Sequence, residues 1–230
     1  MTIKGLLFDK DGTLFDFHAT WTIWADETIR RLGEGDTART EAIAGALDYD
    51  LSARQFLPQS SVIAGTVAEQ AEVLLPYMEG RDVGEIARYL ADLASDVEQV
   101  EVLPLVPYLQ SLRMDGFALG VATNDAESSA KAHLSSVGAL GSFDFLAGYD
   151  SGFGGKPEPG QLLAFSEQTG MDTAEVAMIG DSTHDLHAAR AAGMVAVGVL
   201  TGPADEAQLA PHADVVLPSI AELPAFLAAR

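Results

Sequence analysis

Runs of apolar residues alternate with amphipathic stretches over most of this chain, and glycines punctuate the changes. Residues 3–8, ending in Leu6-Leu7-Phe8, read as a buried strand. From residue 100 the alternation is regular. The pattern predicts a helix over 104–114 opening near Pro104, a strand over 117–122, a helix over 126–137 closed by Gly138, and a short strand over 143–148. A glycine-rich loop, Ser151 to Gly155, follows. Next come a helix over 158–169 ended by Gly170, a strand over 176–179, and a helix over 183–192 ended by Gly193. Strands over 194–199 and 213–217 and a helix over 219–229 complete the chain. Short apolar strands separated by helices predict an α/β fold with a doubly wound parallel sheet, covered on both faces.

Residues 17–99 interrupt that alternation. Ile23, Trp24, Thr28 and Leu32 are spaced for one helix face, and 36–48, 66–78 and 82–99 read as further helices, with Ile86, Leu90 and Leu93 at helical spacing. Pro58, Gly65 and Pro76 punctuate this block, and no strand is expected in it. It reads as an insertion after the first strand, a helical cap over the sheet's active edge. The expected division is a core of 1–15 and 101–230 and a cap of 16–100.

Composition narrows the classes. Apolar residues are 48% of 230, enough for a real core, and no run approaches the roughly 20 needed to cross a membrane. Met1 leads straight into a strand with no visible signal peptide, and there is no cysteine, which fits a cytoplasmic protein. The formal net charge of -21 disfavours nucleic acid and anionic membranes as partners, and reads first as a solvated surface. Beyond residue 100 only Arg113, Lys131, Lys156, Arg190 and Arg230 are basic, so a lysine at a motif carries weight.

Four polar groups follow predicted strands: Asp9 and Asp11 in Phe8-Asp9-Lys10-Asp11-Gly12-Thr13-Leu14; Thr123-Asn124; Lys156 in Gly154-Gly155-Lys156-Pro157; and Gly180-Asp181-Ser182-Thr183-His184-Asp185. In a parallel sheet these strand ends meet at one edge. Residues i and i+2 of a strand point the same way, so Asp9 and Asp11 would share one space, where like charges call for a metal ion or a shared proton. Magnesium suits oxygen ligands: the carboxylates of Asp9 and Asp181 and the carbonyl of Asp11. Lys156, the Thr123 hydroxyl, the Asn124 amide and the N–H groups of the helix starting near Asp125 suit phosphoryl oxygens. In that setting Asp9 would attack phosphorus and form an aspartyl-phosphate, while Asp11 protonates the leaving oxygen and then activates water.

With these four motifs in order, the chain resembles the haloacid dehalogenase superfamily, in particular its phosphatases with a helical cap after the first strand. The resemblance implies Asp9 as nucleophile, Asp11 as acid/base, Thr123 and Lys156 as phosphate holders and Asp181 as a Mg2+ ligand. Asp185 would support the metal site or orient Lys156. Asp11 argues against the dehalogenases and phosphonate-cleaving members, which lack that carboxylate. Phosphoglycolate phosphatases are the nearest likeness, so 2-phosphoglycolate is the favoured small phosphorylated metabolite, and the protein would be a monomer or homodimer. The alternative is a phosphosugar mutase or sugar-phosphate phosphatase of the same superfamily. A binding module without turnover is a further rival.

Other residues have plainer readings. Lys10 stands where that family usually has an apolar residue; it is expected to point away from the site, with no role. Residues 58–66 are a candidate substrate-contacting loop. Thr123-Asn124 alone would fit a helix cap, and Asp181 or Ser182 a second. Trp21 and Trp24 read as core packing rather than a stacking platform, His18 as a hinge residue, His184 as exposed and Arg54 as solvated.

Overall fold

The computed structural model describes residues 2–57, 59–95 and 97–229; the readings of Met1, Pro58 and Arg230 lie outside these. Strand β1 (Gly5–Phe8) opens the chain. The helical block follows: α1 (Phe17–Gly33), α2 (Thr37–Ala46), a hairpin of β2 (Tyr49–Asp50) and β3 (Gln55–Phe56), α3 (Ser61–Ala64), α4 (Val67–Leu74) and α5 (Val83–Ser95). The remainder runs α6 (Leu105–Met114), β4 (Ala118–Ala122), α7 (Glu127–Ser136), β5 (Phe145–Ala147), α8 (Gly160–Thr169), β6 (Val176–Gly180), α9 (Thr183–Ala192), β7 (Val195–Val199), α10 (Glu206–Leu209), β8 (Val215–Leu217) and α11 (Leu223–Ala228).

Six strands form one parallel sheet in the order β5-β4-β1-β6-β7-β8. Alternation along β1 divides its side chains between the two faces. Leu6 and Phe8 join an apolar cluster with Leu109 and Leu112 of α6, Leu134 of α7 and Leu223 of α11. Leu7 joins the opposite one, with Phe165 of α8 and Leu186 and Ala189 of α9. These side chains are fully or almost fully buried. Each of the Leu and Phe side chains is worth roughly 1.5–3 kcal/mol of transfer free energy. Both faces are therefore dry, and the loops at the strand ends are left for polar work.

Phe8 lies level with Val121 of β4 and Ile179 of β6, so the carboxyl ends of the three central strands are aligned. After β5 the chain crosses to the other side of β1 to form β6, which makes the edge beside β1 a switch point where crevices form.

The helical block has its own apolar cluster, running from Phe17 through Trp24, Ile43 and Leu74 to Ala94. Asp16 caps α1, accepting a bond from Ala19 N at 2.8 Å, and Thr66 with Glu69 forms a capping box on α4. The two chain crossings into and out of the block run side by side. Asp16 N donates to Val100 O (2.8 Å) and Val102 N to Leu14 O (3.0 Å). Three details differ from the sequence reading, the first being the short helix α3 within the stretch expected as a substrate-contacting loop. The β2–β3 hairpin interrupts the helices, and Ile23 is exposed, the buried face of α1 being Trp21, Trp24, Ala25, Thr28, Ile29 and Leu32.

Candidate active site

The turn after β1 brings the first motif together. Asp9 N still donates to Ile179 O, extending the ladder one residue beyond the strand. Leu14 and Phe15 N–H groups then close back on the Lys10 carbonyl. Gly12 sits at φ 77°, and a Cβ there would overlap Asp181 Oδ2. A Cβ at Gly202, in the loop after β7, would overlap the same atom. Thr201 ties the two loops by donating to Gly12 O at 2.6 Å. Glycine at both positions therefore makes room for the Asp181 carboxylate.

Asp9, Asp181 and Asp185 are buried, with carboxylate oxygens all within 4.8 Å of one another. The buried Lys156 ammonium reaches two of them, at 2.7 Å from Asp9 Oδ1 and 2.6 Å from Asp185 Oδ1. Asp185 uses its other oxygen to accept from Ser182 N and Oγ, so one side chain both caps α9 and holds Lys156. Burial pushes the Asp9 carboxyl up to about 7, against the pull of Lys156 and with Asp185 and Asp11 adding repulsion. Burial, with Asp9 and Asp185 beside it, also raises Asp181 well above the usual carboxylate range. Lys156 is held above its ordinary value by Asp185 and Asp9, which outweigh its own burial.

Three carboxylates facing one ammonium leave the space short of positive charge. A divalent cation with a preference for oxygen fits this donor set. Asp9 and Asp181 would hold it, and Asp185 lies near enough to contribute.

Thr123 and Asn124 follow β4 and line the same cavity. The Thr123 hydroxyl accepts from Asp125 N (3.1 Å), which leaves its own proton to donate. The Asn124 amide brackets the Lys156 peptide, with Oδ1 accepting from Lys156 N (2.7 Å) and Nδ2 donating to Lys156 O (2.8 Å). Asn124 thus positions the lysine loop, a role its placement after a strand did not reveal. Helix α7 begins at Glu127, two residues later than Asp125, with Ala126 at its cap.

Lys10 departs most from expectation. Its side chain is fully buried, and its ammonium lies 2.6 Å from Asp11 Oδ2, 3.4 Å from Asp125 Oδ2 and 3.0 Å from His133 Nδ1. The expectation that it has no role is corrected here: a buried charge requires partners, and this one has three. Because His133 Nδ1 accepts from an ammonium, His133 Nε2 carries the proton and donates to Ala94 O of α5 at 2.8 Å. Burial, with Lys10 beside it, depresses the His133 imidazole to about 4.

Asp11 turns to this group rather than to the other three carboxylates. Its Oδ1 accepts from Trp21 Nε1 of α1 at 2.9 Å. Trp21 and Trp24 pack edge to face, centroids 5.4 Å apart, as their spacing suggested. They also line the cavity above Asp11, together with Val62 and Ile63 of α3 and Gly65 at its C-cap. His184 lines it too and is half-buried rather than exposed. His18 is exposed against the Phe17 ring, and Arg54 is exposed and paired with Asp26.

A family profile described as haloacid dehalogenase-like hydrolase matches residues 3–193. The chain is 29% identical to a phosphoglycolate phosphatase of Yersinia pseudotuberculosis, over 96% of this chain and 91% of that one. It is 36% identical to a "probable phosphatase IndB" of Dickeya dadantii over 56% of this chain and 57% of that one. Among solved structures, a phosphatase of this family from Thermococcus onnurineus superposes with a TM-score of 0.69 over 98% of each chain at 22% identity. No described helix is long and apolar enough to cross a membrane. On the profile match, which spans most of its length, the chain belongs to the haloacid dehalogenase-like hydrolases.

Proposed function

We propose that this protein is a magnesium-dependent phosphatase that cleaves a small phosphate monoester through an aspartyl-phosphate on Asp9. The observation that carries the reading is the single Lys156 ammonium shared by Asp9 and Asp185, with Asp181 alongside, beneath a cap. When bound, Mg2+ would offset the charge of the phosphoryl oxygens, so that an anionic nucleophile can approach an anionic ester. Asp9 attacks phosphorus and the P–O bond to the alcohol breaks. Asp11 gives the departing oxygen its proton, then takes one from the water that attacks the acyl phosphate. Lys156 and the Thr123 hydroxyl hold the phosphoryl oxygens. Likeness to proteins named phosphoglycolate phosphatase makes 2-phosphoglycolate the first ester to assay.

The test is phosphate release from a panel of small esters, with Mg2+ and with excess chelator. Mg2+-dependent release, lost by at least ~10³-fold in Asp9→Asn, is expected, since the variant has no covalent route. Isomerised hexose phosphate in place of free phosphate would favour the mutase alternative, and turnover undiminished in Asp9→Asn would contradict the mechanism.

A further inference from the structure

The cavity facing Asp9 and Asp11 is walled on the cap side by Trp21, Trp24, Val62, Ile63, Val67 and Leu90. Of thirteen Lys and Arg residues in the sequence, Lys156 is the one that lines it among the described residues. Its ammonium is shared by Asp9 and Asp185, and its remaining donor is the one the reading above gives to the phosphoryl oxygens. Lys10 lies behind Asp11, wholly buried, and does not line the cavity. His184 does, without the permanent charge of a lysine or arginine. The carboxylates of Asp11 and Asp125 are also on the wall.

A second anionic group on the substrate would therefore meet apolar side chains and other carboxylates, with no cation to pair with. An unpaired charge in such surroundings is strongly disfavoured. Uncharged polar atoms are well provided for. The Gln70 amide of α4 lines the wall and offers both a donor and an acceptor to an uncharged polar group on the substrate. The cavity measures ≈ 50 Å³, room for only a few waters, so the wall would close tightly on a compact group.

We infer that the alcohol this enzyme releases is uncharged, with an apolar face and at least one uncharged polar group, and that phosphate esters bearing a carboxylate or a second phosphate are poor substrates. This rests on the phosphatase reading above and narrows it: 2-phosphoglycolate falls in the disfavoured class.

A matched pair isolates charge from size: 2-phosphoglycolate and the phosphate ester of glycolamide, differing by carboxylate against amide. With the wild-type protein and Mg2+ at pH 7.5, kcat/KM for the amide should exceed that for the acid by at least ~10-fold. Gln70→Arg, which sets a cation in the wall, should reverse the preference. Thermal unfolding of the variant checks that it is folded. Equal or better turnover of 2-phosphoglycolate by the wild type would overturn the inference and leave the phosphatase reading intact. Absence of phosphate release from every ester would remove both.

Discussion

Lys10 is the residue at which strand alternation misled. Alternation correctly turns it away from Asp9. The chain leaves the strand at once, however, and the turn carries the Asp11 carboxylate round to meet it at 2.6 Å. A charged residue in an apolar run, flanked by two aspartates, was the available signal, because a buried ammonium must find acceptors. Lys10→Met removes the one cation that faces Asp11 and Asp125 among the described residues. It should destabilise the protein by about 3 kcal/mol, the usual result of breaking a buried ion pair by removing one partner. Equilibrium urea unfolding reads this directly, and unchanged stability would mean that the network contributes little. His133, packed against Lys10, Asp125 and the Ala94 carbonyl and within the field of Asp11, gives a pH signature. Its folded value of about 4 lies below the 6.5 of an unfolded histidine, so the unfolded chain takes up the proton first. The stability it contributes is complete above pH 6.5 and is lost as pH falls from there toward 4. Going from pH 7.5 to 5.5, the wild type should lose about 1 kcal/mol more than His133→Gln does. Parallel pH dependence in the two proteins would contradict this.

Whole elements were more legible than single side chains. Long periodic helices such as α5, and strands bounded by glycine such as β6, followed from period and punctuation. Gly170 and Gly193 end α8 and α9 in the left-handed conformation that a Cβ disfavours. The β2–β3 hairpin was missed because two-residue strands carry no measurable alternation. Ile23 was placed on the wrong side of α1 because several neighbouring positions are apolar, and packing alone decides which of them face inward. Helix α1 also reaches the chemistry: Trp21, which spacing assigns to the core, donates its indole N–H to Asp11. That bond depends on where the helix rests over the strand ends, which periodicity does not report. Because Asp11 is the proposed acid/base, Trp21→Phe should lower kcat by roughly 10-fold in a protein that still unfolds cooperatively, since the indole N–H fixes the Asp11 carboxylate. An unaltered kcat would detach the indole from catalysis.

At the scale of the molecule, residues 9, 123, 156 and 181 converge because a parallel sheet aligns the ends of β1, β4, β5 and β6, which they follow. That convergence was legible, since each motif follows an apolar run. The identity of the released alcohol was not, because it depends on side chains of α1, α3, α4 and α5 that meet only when the helical block lies over the sheet. The proposed covalent step on Asp9 is where sheet, cap and charge act together. It is tested by quenching the protein with acid during Mg2+-dependent turnover, reducing acyl phosphate with borohydride, and mapping the modified residue by mass spectrometry. The proposal predicts conversion of Asp9 to homoserine, dependent on substrate and absent from Asp9→Asn. Steady turnover with Asp9 unmodified, or with the label on another residue, would contradict it.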